Sequence, residues 1–559
     1  MATATIPGSE KGVEPALFSG KYAIAICICW IAIASVRVIS TYNAMSLTVD
    51  EPAHLACGME YLAKHVYRLE TQHPPLARAM EALGPYLTGS RPAGLSGMDD
   101  EGLAILARSG DVSRTVFLMR LGNLPFFILA SVVVCGWAWY SFGATVALIA
   151  TGLFTLLPTV LADAGLATTD MALTATVGAA FLSIIVWTDK PNALRGLLMG
   201  VFTALALLSK FTSIGYLPGA VALALVCWLA VRRPSLHEIM RLAAARIYTF
   251  ALGGAIALLL IWAAYFFSFG VLPLGHNRVP GPEFFDGIRS ALLHARNGHE
   301  AYLLGQFRTG GWWYYFPVAI TLKTPIAFLV LCAIGLIFCL KERVRPACLL
   351  PLAFSLGVLL PAMRSRVDIG IRHIEPIYIG LAIVAAVGLR QLIQWAPANA
   401  TRCAIATILA GWMAVSGAIC HPDYLTYFNG LANGKPENFL VDSNYDWGQD
   451  LKILAKRLKV LQVQEISLAS LDGVMGPEYL QKWYGLPAIK GVDTCTPALG
   501  WSVVSPTFAK SFRFHRYGLN MPQPWYEQVA PLERVGTLRL YRVSSPEMVR
   551  DMCRSTSVR

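Results

Sequence analysis

Charged side chains are sparse in this sequence. Asp, Glu, Lys and Arg supply 14% of its 559 residues, against about 25% in soluble domains. With 55% of the chain hydrophobic and a mean hydropathy of +0.52, a single water-soluble core is excluded and a polytopic membrane protein is implied. No C-x-x-C pair occurs. Cys27, Cys29, Cys135, Cys227, Cys332, Cys339 and Cys348 lie inside apolar runs, where cysteine behaves as a small hydrophobe. Neither a zinc site nor a disulfide framework is expected. Internal repeats and low-complexity tracts are also missing, which weighs against a secondary transporter built from repeats with broken helices at the midplane. No small-x-small cleavage site promptly follows the first apolar run, 22–39, so it reads as a membrane helix rather than a signal peptide. The net charge of +12 does not indicate nucleic acid, because Lys and Arg lie mostly in short connections between apolar runs.

What the chain does contain is a series of apolar runs. After 22–39 they fall at about 116–139, 143–160, 170–188, 195–209, 213–231, 245–269, 317–340, 347–362, 374–390 and 402–420, giving about eleven spans on the length needed to cross a bilayer. The connections 189–195, 232–246, 341–345 and 390–402 carry Lys190, Arg195, Arg232, Arg233, Arg241, Arg246, Lys341, Arg343, Arg345, Arg390 and Arg402. The positive-inside rule makes them cytoplasmic, together with a polar tail at 1–20. A membrane domain at 21–420 then faces outward with two long loops, 41–115 and 270–316. Residues 421–559 read as a small α/β domain on the same outer side. There 451–461 has helical apolar spacing, while 465–471, 501–505 and 536–543 look like strands.

Ionisable groups gather near the outer ends of the spans. The first loop holds the Asp50-Glu51 pair, His54 and a His73-Pro74-Pro75 corner, and Thr168-Thr169-Asp170 opens the fourth span. Residues 294–323 bring Arg296, His299, Glu300, Tyr302, Gln306 and the aromatics Trp312, Trp313, Tyr314 and Tyr315. Lys210 and Arg372-His373 lie at further span ends. Charge in such places is costly unless it has a task. Each feature also has a plainer reading. An acid beside a span is commonly a solvated flank, and Asp170 suits a helix start. The aromatics suit an interfacial belt, Lys210 suits a snorkelling side chain, and His299 alone suits a solvated or structural residue. Convergence on one face favours a shared polar cavity.

The ordered motifs carry a resemblance. D-E at Asp50-Glu51, H-P-P-L-A from His73 to Ala77, T-T-D at 168–170 and G-H-E-A-Y-L-L-G-Q followed by G-W-W-Y-Y-F-P-V-A and K-T-P within 298–325 stand in this order. I-G-I-R-H-I-E-P-I-Y at 369–378 and H-P-D-Y-L-T-Y-F-N with D-S-N-Y-D-W-G-Q-D-L within 421–451 follow. Over almost the whole chain this resembles the polytopic glycosyltransferases of the protein O-mannosyltransferase and aminoarabinose-transferase type, and bacterial members above all. The resemblance implies a GT-C fold and an inverting transfer of a sugar from a polyprenyl-phosphate donor to an acceptor protein, lipid or glycan. It places the enzyme in a bacterial cytoplasmic membrane with the catalytic side outward. It also implies Asp50 as general base, with Asp170 assisting and Glu51 beside it in the catalytic set. His54, His73, Lys210, His299, Tyr302, Arg372 and His373 form the substrate-binding set, with Lys210, Arg372 and His73 on the phosphate side. Aminoarabinose-transferase members have E-K-P-P where this chain has Gln72-His73-Pro74-Pro75, so no obligatory metal or other cofactor is expected. The alternative is a polytopic transporter or lipid-flipping protein without transferase activity.

Overall fold

The computed structural model describes residues 20–272, 277–342, 346–395, 400–469, 475–491, 498–510 and 525–544. The expected tail up to residue 19, and the parts of the basic connections at 343–345 and 396–399, lie outside the described residues.

Long uncharged runs fold as helices because a bilayer offers no hydrogen-bond partner to an open backbone. Seven helices are long and apolar enough to cross it: Gly20–Thr41, Val112–Phe142, Thr169–Asp189, Ser213–Arg232, Ile247–Ala264, Ile377–Gln394 and Ala400–Ile419. Two further segments are bent pairs, Ala144–Leu156 with Pro158–Ala164 at 65° and Tyr315–Lys323 with Ile326–Lys341 at 115°. Proline causes both breaks. Leu157 and Thr324 are extended ahead of Pro158 and Pro325, since proline disfavours helical backbone at the preceding residue. Two shorter apolar helices, Ala193–Ser209 and Ala347–Ala362, bring the apolar segments among the described residues to the eleven expected.

Glycines let these helices approach closely. A Cβ on Gly200 would lie 2.2 Å from the Gly253 carbonyl oxygen, and one on Gly335 would lie 1.9 Å from that of Val384. Such contacts replace the hydrophobic drive that is missing between helices in lipid.

The two long connections are themselves folded. The first contains helices Glu51–Lys64, Pro75–Leu87 and Met98–Arg108, and the span after it begins at Val112 rather than near 116. The second holds an antiparallel hairpin, Phe269–Val271 with Arg278–Pro280, then helix Pro282–Asn297, then a hairpin of Glu300–Leu303 with Gln306–Thr309. Beyond the last span, helix Leu451–Val460 leads into a five-stranded sheet. Its order is Ala488–Gly491, Glu465–Ala469, Gly500–Val504, Leu538–Val543, Glu533–Val535. The first three strands are parallel and the remaining pairings antiparallel. A parallel neighbour requires a crossover, which helix Pro477–Tyr484 supplies between Glu465–Ala469 and Ala488–Gly491. The strands expected at 501–505 and 536–543 form with small changes at their ends. The one expected at 465–471 forms through Ala469, with 470–471 outside the described residues.

Candidate active site

The site is built where the first helix of the first connection meets the start of the span Thr169–Asp189. Asp50 occupies the N-cap position of helix Glu51–Lys64, yet its side chain makes no capping bond. Its carboxylate instead accepts from the Arg372 guanidinium at 3.0 Å and stays 37% exposed. Asp170 likewise sits in a first helical turn, and the plainer reading of it as a local cap does not describe its bonds. Its carboxylate takes Lys210 Nζ at 2.6 Å and Arg372 Nη1 at 3.3 Å, with no exposure at all. Arg372 therefore bridges two carboxylates from separate elements, one at the start of helix Glu51–Lys64 and one at the start of the span Thr169–Asp189. Lys210 is held at the C-terminal end of helix Ala193–Ser209 and is buried, so it pairs rather than snorkels.

Glu51, expected in the catalytic set, turns the other way. Fully buried, it accepts from Arg120 through both oxygens at 2.7 Å, from the Thr48 amide at 2.8 Å and from the Ala167 amide at 3.0 Å. Burial alone would raise its carboxyl, but the Arg120 charge and the amide bonds hold it below the usual range. With its oxygens occupied and no surface open, Glu51 fixes the loop that carries Asp50 and has no access to substrate.

His54 and His73 belong to a second network. Arg78, buried, donates to His54 Nδ1 at 3.0 Å, to the Tyr67 hydroxyl at 3.0 Å and to Glu70 at 2.5 Å. Burial opposes ionisation of Glu70, yet Arg78 beside it brings the carboxyl down to about 2. The His73 ring lies 3.4 Å from Glu70 and edge-on to His54 at 5.9 Å. Burial holds His73 below its ordinary value despite the Glu70 bond. A neutral imidazole is a weaker phosphate partner than the lysine of the E-K-P-P pattern.

The other expected residues are spread more widely. His373 follows Arg372 in the short turn Ile371–Ile374, and its Nε2 has no partner among the described residues. His299 bonds through Nδ1 to the Glu300 carbonyl at 2.8 Å, and its amide donates to Arg366. Tyr302 is buried and directs its hydroxyl toward the Asn438 carbonyl at 3.5 Å. Of the aromatics, Trp312, Tyr315 and Phe316 are buried, and Trp313 alone is 69% exposed, so most of this cluster is core rather than interfacial belt. Arg78, Glu70 and Arg120 escaped sequence reading. Their signal was present, since an Arg inside an apolar-patterned helix needs a buried acid, but their partners are not fixed by spacing.

Residues 28–275 match the model of the dolichyl-phosphate-mannose-protein mannosyltransferase family. The crystal structure of ArnT from Cupriavidus metallidurans bound to undecaprenyl phosphate is 16% identical and covers 92% of this chain and 97% of that chain at a TM-score of 0.50. The chain has the GT-C glycosyltransferase fold. The apo state of the same ArnT gives 15% identity, coverage of 93% and 98%, and a TM-score of 0.49. Archaeal AglB from Archaeoglobus fulgidus, an oligosaccharyltransferase in complex with an inhibitory peptide and a dolichol-phosphate, gives 14%, coverage of 84% and 61%, and 0.48. No curated protein matches the chain in sequence.

On a GT-C scaffold the cluster has a plain chemical capacity. Two carboxylates face two cations. The exposed carboxylate can take a proton, and the buried one holds Lys210 and Arg372 in place. An incoming anion competes with the carboxylates for the same guanidinium, and hydrogen bonds to a guanidinium are strong where water is excluded.

Proposed function

We propose that this protein is an inverting glycosyltransferase that moves a hexosyl or pentosyl group from polyprenyl phosphate to a protein hydroxyl, a lipid head group or a glycan. The reaction takes place on the outer face of a bacterial cytoplasmic membrane. The observation that carries the reading is the pairing of an exposed, uncapped Asp50 with Arg372, which also holds a fully buried Asp170. The acceptor oxygen attacks the anomeric carbon and its proton passes to Asp50. The bond from that carbon to the phosphate oxygen breaks, and the electron pair leaves with polyprenyl phosphate. Arg372 and Lys210 meet the charge that develops on the phosphate. In exchange Arg372 loosens its hold on Asp50, so donor binding and base release are linked. The helical part, 21–420, carries the chemistry, and 421–559 forms the outward-facing domain against it.

No divalent metal is required in this scheme, since each carboxylate of the cluster already has a cationic partner. The test is transfer by purified protein in detergent or liposomes, with polyprenyl-phosphate sugars as donors. Turnover that persists in EDTA and is absent with a nucleotide sugar is expected. Lack of release of polyprenyl phosphate from any such donor would overturn the function, and full metal-reversible inhibition would overturn the metal-free scheme.

A further inference from the structure

The motif D-S-N-Y-D-W-G at 442–448 follows every span and lies outside the chemistry assigned above. Its side chains nevertheless close around Arg372. Ser443 Oγ accepts from Arg372 Nε at 3.1 Å, and the guanidinium carbon lies 4.1 Å from the centre of the Trp447 ring. A guanidinium is a rigid planar fork with a polarisable face. In Arg372 each edge is taken, Nε by Ser443, Nη1 by Asp170 and Nη2 by Asp50. The indole then covers a face.

These two partners are themselves anchored. Ser443 Oγ donates to the Ile369 carbonyl at 2.8 Å. A Cβ on Gly370 would lie 2.2 Å from that Oγ, so only glycine there allows the approach. Asn444 accepts from the Ile371 amide at 3.0 Å and donates to the Tyr315 hydroxyl at 2.8 Å. Buried Lys323 donates to the Asn444 carbonyl at 2.6 Å. The Trp447 carbonyl accepts from the Val49 amide at 3.3 Å, and the Gln449 carbonyl from the Ser46 amide at 2.9 Å. One residue thus stacks on Arg372 and is bonded to the residue before Asp50.

We propose that Trp447 and Ser443 are positioning residues, which fix the plane of the Arg372 guanidinium between Asp50 and Asp170; their effect on catalysis rests on the glycosyl-transfer reading above. Trp447 sets the distance between the Arg372 turn and the Asp50 loop through its ring and its carbonyl. Ser443 sets the rotation of the guanidinium about its Cδ–Nε bond.

The experiment compares Trp447→Leu, Trp447→Phe and Ser443→Ala in the full-length protein, with two readouts per folded molecule. The first is kcat and acceptor KM with a polyprenyl-phosphate sugar. The second, which needs no donor, is the rate at which phenylglyoxal modifies Arg372, followed by mass spectrometry. Loss of a desolvated cation–π contact should lower kcat about 10- to 30-fold in Trp447→Leu, with acceptor KM unchanged. Trp447→Phe should recover most of that loss, and Arg372 should be modified several-fold faster in Trp447→Leu than in either aromatic form. Wild-type turnover together with wild-type modification in Trp447→Leu would overturn the proposal. Faster modification in a protein that transfers no sugar at all would instead sink the glycosyl-transfer reading and leave the positioning intact. Should Trp447→Leu fail to fold, Ser443→Ala removes one hydroxyl and carries the same test, with unchanged kcat and unchanged modification as the overturning result.

Discussion

Asp50 and Glu51 are adjacent in sequence, and their surroundings separate their tasks. One carboxylate is partly exposed against Arg372, and the other is sealed against Arg120. The pair itself was legible as an acidic motif beside a span. That Glu51 is sealed away was not, because its burial depends on an arginine 69 residues away. Asp50→Asn keeps the shape and removes the proton acceptor, so turnover per folded molecule should fall about 10²–10⁴-fold with donor binding retained. Near-normal turnover would remove Asp50 from the mechanism. Glu51→Gln should act on folding instead: breaking a buried pair costs roughly 3–5 kcal/mol, read as a fall in thermal midpoint larger than that of Asp50→Asn. Asp368 offers a separate test by pH. Its Oδ2 accepts from the Trp312 amide at 2.6 Å, and its Oδ1 has no partner among the described residues. Burial pushes the carboxyl up to about 6. A folded value above the unfolded one means that the folded state holds the proton more tightly. This contribution is therefore full below about pH 4 and is lost as pH rises toward about 6, by up to about 3 kcal/mol. Asp368→Asn should flatten the decline in thermal midpoint across that window, and an unchanged slope would refute the assignment.

The helices of the first long connection were the elements least visible in sequence, where 41–115 read as loop. Helical periodicity is weak there because these short helices are buried on several sides. Nine consecutive residues from Glu51 to Met59 are buried, so no polar face marks the period. The sheet shows the reverse. Its central strands were legible from runs such as Gly500–Val504, whereas Ala488–Gly491 and Glu533–Val535 lie at the sheet edges and are too short to show alternation. What holds the loop helices together is close backbone contact. A Cβ on Gly58 would lie 2.0 Å from the Arg78 carbonyl oxygen, and one on Gly102 would lie 2.0 Å from that of Pro52. Gly58→Ala should force helix Pro75–Leu87 away from helix Glu51–Lys64, costing about 1–3 kcal/mol as an overpacked contact. The same shift draws Arg78 away from His54. A drop in thermal midpoint with reduced activity is expected, and a wild-type midpoint would show that the two helices do not pack this closely.

Across the whole molecule, the positions of the polar groups were legible in the chain, but their pairing was not. Asp50, Asp170, Lys210 and Arg372 all stand at ends of apolar runs, so their common depth was readable from the runs alone. The bond from Arg372 to Asp170 crosses 202 residues, and no periodicity reports on such a contact. The participation of 442–450 was hidden for the same reason, since a turn beyond the last span leaves no local sign of the turn it packs on. The arrangement makes the membrane side of the site testable. If the basic connections such as 232–246 are cytoplasmic, the Asp50 loop and everything after residue 420 share the opposite side. A reporter active only outside the cytoplasm, fused after residue 430, should be active. Single cysteines at exposed Lys64 and Arg233 give an independent reading in intact cells. A membrane-impermeant maleimide should label Lys64→Cys above the wild-type background and leave Arg233→Cys unlabelled until the membrane is opened. The opposite pattern would place Asp50 in the cytoplasm, away from a donor presented on the outer leaflet, and the proposed reaction would have to be reassigned to the inner one.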